Sequence, residues 1–154
     1  MALYQEFTHV FTRTEEYRAR YLTAGVAPER LSVVGELKYD LWIDPAHPPM
    51  GRALRDRWTV ARVLMIASSV QDEEPQLLPM VDQLLENNAG LGVLWVPRSP
   101  QRFDAVAEAL AGQGHQVTRR SALGVAMDAP LEDGCRVILG DSIGEMNAYY
   151  SMAD

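Results

Sequence analysis

The stretch CRVILGDSIGEMNAYYSMAD, residues 135–154, decides the fold class. Cys135 to Leu139 make an apolar run of strand length, Gly140 to Ser142 carry turn chemistry, and Ile143 to Met152 read as a helix. Ser142 and Glu145 stand at the spacing of a capping box, with a hydroxyl at the helix N-cap and a carboxylate three residues on. The run does not alternate apolar with polar residues, so the strand is expected to be covered on both faces.

The same unit occurs twice upstream. Val63 to Ala67 (VLMIA) precede a helix expected over residues 72–88, with Leu77, Val81, Leu84 and Leu85 on one face. Pro75 suits its first turn, whereas Pro79 falls in its interior, so this helix is expected to start late or to kink. Leu91 to Val96 (LGVLWV) precede a helix opened by Ser99 as N-cap and Pro100 at N1, with Phe103, Val106, Ala107 and Leu110 turned inward. Continuous apolar strands between amphipathic helices predict an α/β fold, a parallel Rossmann-like sheet with helices on both faces.

Outward from this core the signals are weaker. Glu15 to Ala24 read as a helix capped by Thr14 and closed by Gly25, and Leu31 to Val34 as a short strand. Asp44 to Gly51 (DPAHPPMG) carry three prolines and read as a linker, with a short helix after it over Arg52 to Trp58. His47 in this segment is expected to be exposed and structural. Gln116 to Thr118 suggest a short strand, and Ala122 to Asp133 a loop.

Composition narrows the function classes. A chain of 154 residues with 47% apolar and 23% charged residues is one domain's worth of soluble globular protein. The net charge of −7 leaves no basic stripe for a duplex, so nucleic acid is not expected as a partner. Cys135 lies in an apolar run and reads as a core residue; one cysteine allows no internal disulfide. No GxxxxGK or GxGxxG phosphate motif occurs, and the three histidines have no metal-ligand spacing, so no cofactor or metal is expected.

Ligands of open parallel sheets bind beyond the carboxyl ends of the strands. That rule selects Ser68-Ser69, Pro97-Arg98-Ser99 and Gly140 to Glu145. Each place also has a plain structural reading. Capping alone accounts for Ser142, and a lone arginine after a strand is as readily a solvated charge as a ligand cation. Asp72, Glu73 and Glu74 read as favourable charge in a first helical turn. Gly144 is costly inside a helix and makes sense where something approaches the backbone.

GELKYD at residues 35–40, IASSVQDEE at 66–74, LWVPRSPQRF at 94–103 and VILGDSIGEM at 137–146 occur in an order and spacing that resemble the Kdo (3-deoxy-D-manno-octulosonic acid) transferases. The resemblance runs from about Phe11 to Asp154. It implies a GT-B glycosyltransferase that moves Kdo from CMP-Kdo to a lipid A precursor in lipopolysaccharide biosynthesis. The expected place is the cytoplasmic face of the Gram-negative inner membrane, with no metal required.

It further implies that residues 1–43 are the tail of the N-terminal acceptor domain and its connection. Residues 44–154 would be the first half of the C-terminal CMP-sugar donor domain. The sequence would then be an internal fragment, without the catalytic base and membrane anchor of the parent chain, inactive alone and prone to self-association. Pro97, Arg98, Ile143, Gly144 and Glu145 correspond to residues that contact the CMP moiety, and Lys38 to a lysine that stabilises transition-state charge. Ser99 and Val70 stand where the family usually has histidine. A GT-B enzyme using a UDP-sugar and a non-catalytic α/β interaction module remain alternatives from the residues alone.

Overall fold

The apolar runs pair edge to edge as parallel strands. The computed structural model describes residues 3–40 and 42–154, and the chain divides into two compact units, Met1–Ile43 and Asp44–Asp154.

In the first unit, β1 (Val10–Thr12) and β2 (Leu31–Val33) form a parallel pair with Val10 opposite Leu31, joined through α1 (Glu15–Thr23). Thr14 caps α1: its hydroxyl accepts from the Tyr17 amide at 3.4 Å. Gly25, with φ of +88°, lets the chain leave the helix. The pattern of residues 10–12 gives no strand signal of its own; β1 exists because β2 pairs with it.

The second unit opens with α2 (His47–Arg57), which corrects the reading of residues 44–51 as a linker. Prolines 48 and 49 occupy the first turn, where the missing N–H has no acceptor to lose. Asp44 starts this turn, its Oδ1 accepting from the Ala46 amide at 2.9 Å and its carbonyl from that of His47 at 3.1 Å. His47 is half-buried, its Nε2 3.9 Å from the Asp44 carboxylate.

Then follow β3 (Arg62–Ser69), α3 (Glu74–Asn87), β4 (Leu91–Pro97), α4 (Phe103–Gly112), β5 (Val117–Arg119), β6 (Val137–Leu139) and α5 (Met146–Tyr150). The four strands are all parallel, in the order β3-β4-β6-β5. α3 begins at Glu74 with Pro75 in its first turn, and it carries Pro79 inside it rather than starting late enough to exclude it. Among the described residues no helix is long and apolar enough to cross a membrane.

The sheet is apolar on both faces because two cores need it. Val93, Trp95, Val137 and Leu139 pack with Val81 and Leu85 of α3 and with Val106 and Leu110 of α4. Leu94, Val96 and Ile138 pack on the other face with Leu54 of α2, with Trp58 just after it, and with Ala148 and Tyr149 of α5. Burial of a side chain of this size contributes about 1.5–3 kcal/mol, so β4 and β6 are each held from two sides. Cys135 belongs to the second core; its carbonyl accepts from Trp58 Nε1 at 2.8 Å. Leu123 and Met127 reach the same core from the long loop after β5.

This arrangement places a switch point. The chain leaves β4 for α4 on one face and leaves the adjacent β6 for α5 on the other. A crevice opens at such a divergence, at the carboxyl ends of the two strands.

Candidate functional site

The three strand ends chosen from the sequence lie along one rim of the sheet. At the end of β3 the register shifts between Ala67 and Ser69, and Ser68 takes a left-handed φ of +59°. This bulge turns Ser69 inward, where its Oγ accepts from Trp95 Nε1 at 2.8 Å. The Ser69 carbonyl accepts from the Arg98 amide at 2.9 Å. The β3 and β4 ends are thus pinned together, and Pro97 is buried while the Arg98 side chain stays exposed. Ser69, Val70, Arg98, Ser99, Pro100 and Arg102 line an open depression of about 520 Å³.

Two of the quoted motifs meet beneath this depression. Arg102 forms a two-pronged ion pair with Glu74, with Nε 3.2 Å from Oε1 and a second, shorter contact from Nη2 to Oε2. The Glu74 carboxylate holds the Arg102 guanidinium above its ordinary pKa range. Glu74 stands in the first turn of α3, as expected, and at 4% exposed it also braces the loops after β3 and β4. Ser99 stands at the N-cap, with Pro100 next, of the 3-10 turn Pro100–Arg102 that runs into α4, but its hydroxyl meets the Gln101 side chain and makes no cap bond.

At the end of β6 the Gly140 amide donates to the Trp95 carbonyl at 2.8 Å. Only glycine fits here. A Cβ at this position would lie 2.8 Å from Val96 Cγ2 and 2.9 Å from Tyr149 Cζ. Beyond it the structure departs from the capping box. α5 begins at Met146, not Ile143, and Ser142 is not its N-cap. The Ser142 hydroxyl instead meets the Glu145 carboxylate and lies 2.5 Å from the Tyr149 hydroxyl. Burial pushes the Tyr149 phenol up to about 12. Gly144 is outside the helix with φ of +86°, a conformation that itself calls for glycine. Its Cβ would meet nothing within 4 Å, so nothing in the chain crowds it.

Ile143 is 70% exposed at the tip of this loop. The amides of Ser142, Ile143, Gly144 and Glu145 donate to no acceptor among the described residues. Pro97-Arg98 and Ile143-Gly144-Glu145 therefore leave adjacent strands on the two sides of the switch point. Lys38 lies in the first unit, in a 3-10 turn at Leu37–Tyr39, with Nζ 3.1 Å from Glu36 Oε1. Among the described residues no group of three His, Cys, Asp or Glu side chains could hold a metal ion.

Sequence reasoning missed the segment Arg119-Arg120-Ser121, which sits at the foot of the same loop. Arg120 is 6% exposed and grips Glu145 with two prongs, Nε to Oε2 at 2.9 Å and Nη2 to Oε1 at 2.6 Å. Asp141 accepts from the Ser121 amide at 2.8 Å and from its hydroxyl at 2.7 Å. The only local hint was a pair of acids in GDSIGE with no cation of their own.

No family model matches the chain. It is 35% identical over 136 residues to the 3-deoxy-D-manno-octulosonic acid transferase of Haemophilus influenzae, covering 88% of this chain and 31% of that protein. It is 34% identical over 151 residues to the enzyme of the same name from Bordetella pertussis, covering 94% and 33%. The chain thus spans about a third of the length of these curated relatives. Among solved structures it resembles the C-terminal CMP-Kdo binding domain of WaaA from Acinetobacter baumannii. The TM-score there is 0.60 at 29% identity, over 71% of this chain and 55% of that one.

Proposed function

We propose, from its kinship with the Kdo transferases over nearly its whole length, that this chain supplies the CMP-sugar binding surface of a Kdo-transferring glycosyltransferase. The observation that carries the reading is the switch point. Pro97-Arg98 and Ile143-Gly144-Glu145 leave adjacent parallel strands whose helices diverge to opposite faces, the place where open α/β sheets bind nucleotides.

The chemistry of the two loops suits CMP. As Kdo leaves, negative charge grows on the CMP phosphate, and a fixed cation or a row of free amides lowers the energy of that state. Arg98 offers an exposed guanidinium that keeps its charge at any physiological pH. The amides of residues 142–145 offer donors, and Ile143 an apolar surface for the base or ribose. Residues 44–154 belong to the donor domain of a GT-B architecture, and residues 1–43 to the end of the acceptor domain. Lys38 is the transition-state lysine of that enzyme. The acceptor is a lipid A precursor at the cytoplasmic face of the Gram-negative inner membrane.

Saturation-transfer NMR of the chain with CMP tests this. Transfer to the cytosine and ribose protons, displaced by CMP-Kdo and not by UDP, is the expected result. Displacement by UDP would favour a UDP-sugar enzyme, and no transfer at millimolar CMP would favour a module that binds no nucleotide.

A further inference from the structure

Glu145 resembles a residue that contacts CMP, yet its carboxylate is already engaged inside the protein. Both oxygens are gripped by Arg120, and one also meets the Ser142 hydroxyl. A carboxylate offers about four lone-pair directions. Three are filled, so little of this charge is left for a ligand.

Arg120 is committed as fully. Besides Glu145 it donates to the Gly124 carbonyl at 2.5 Å and to the Val125 carbonyl at 3.1 Å. One buried guanidinium thus ties three pieces of backbone: the turn after β5, the loop at residues 124–125 and the loop after β6. The next residue makes a second tie, Ser121 to Asp141. Gly144 and Ile143 lie between the two anchored acids, Asp141 and Glu145. These ties fix where the free amides of residues 142–145 point.

Resting on the nucleotide reading above, we infer that Arg120 is a positioning residue for CMP binding. It acts through Glu145, whose carboxylate orients the loop amides and is not itself the principal ligand contact. Preorganised donors bind a developing charge better than mobile ones because no ordering is left to be done at binding. A planar fork is needed for the two-pronged grip, so lysine cannot replace it.

The test is a double-mutant cycle in CMP affinity with Arg120→Met, Glu145→Gln and the pair together. Arg120→Lys is carried alongside, because it keeps the buried charge if Arg120→Met does not fold. Each single variant is expected to weaken CMP binding by about 10-fold or more, the scale of a charge-assisted contact. The double variant should lose no more than the worse single, because the two groups act as one unit. The NMR order parameter of the Gly144 amide without nucleotide should fall in every variant.

If the losses add, Glu145 holds CMP on its own and the positioning role is overturned. Wild-type affinity in both Arg120→Lys and Glu145→Gln overturns it too. A wild-type chain that binds no CMP overturns the nucleotide reading, while the Gly144 order parameter then reports separately on whether Arg120 fixes the loop. An unchanged order parameter in the variants would sink that part as well.

Discussion

Gly140→Ala probes the joint between the sheet and the proposed site. The added methyl would lie 2.8 Å from Val96 Cγ2, 2.9 Å from Tyr149 Cζ and 3.1 Å from Tyr149 Cε2. Neither neighbour can yield cheaply. Val96 is 3% exposed, and Tyr149 is 1% exposed with its hydroxyl 2.5 Å from the Ser142 hydroxyl. Overpacking of a well-filled core costs about 1–3 kcal/mol, and two rigid neighbours place this change in the upper half of that range. For a domain of this size each kcal/mol moves the melting temperature by roughly 3–5 °C, so a fall of about 6–15 °C is expected. Circular dichroism melts, with urea unfolding to give the free energy, measure it.

Val96→Ala removes the nearest methyl and gives a second constraint. The double variant Gly140→Ala with Val96→Ala should lose less than the sum of its parts, as contacting residues do. A Gly140→Ala chain within about 0.5 kcal/mol of wild type, the range of ordinary surface changes, would refute the close packing between β6 and α5.

Three further outcomes follow from the same rim. Arg98→Ala should weaken CMP binding about 10- to 100-fold with an unchanged melting temperature, because only its backbone amide serves the fold; Arg98→Lys should recover part, and calorimetry of all three decides. Arg102→Met should lower thermal stability more than Glu74→Gln, because it leaves a buried carboxylate without its partner; equal melts would show that the pair is not structural. The Tyr149 phenol, raised to about 12 from an ordinary 10.0, favours the protonated fold, so its stabilisation is complete below pH 10 and is lost as pH climbs toward 12. Urea unfolding from pH 9 to pH 12 should show that decline, about 2–3 kcal/mol across the window, and Tyr149→Phe should flatten it.

The sheet was readable because parallel strands covered on both faces leave an uninterrupted apolar signature. VLMIA, LGVLWV and RVIL each became a strand, and the helices between them followed from the helical period of their apolar residues. Local patterns failed where tertiary contacts decide. Residues 10–12 become a strand only against residues 31–33, and the prolines of residues 44–51 open a helix that a linker pattern hides. Ser142 and Glu145 match a capping box by spacing, yet a buried arginine 25 residues away claims the glutamate and leaves the helix to start later. The rim positions were legible from strand ends alone, whereas Arg120, Ser121 and the Glu74–Arg102 pair required the fold, because no spacing rule joins residues that meet across loops.

The central claim is that CMP sits between the loops after β4 and β6. Titration of the isotope-labelled chain with CMP, read at each backbone amide, tests it most directly. Saturable shifts should concentrate at Arg98 and at residues 142–145, and Arg98→Ala should weaken them together. Shifts gathered at the amino ends of the strands, around Gly90 and Leu91, or none at millimolar CMP, would contradict it.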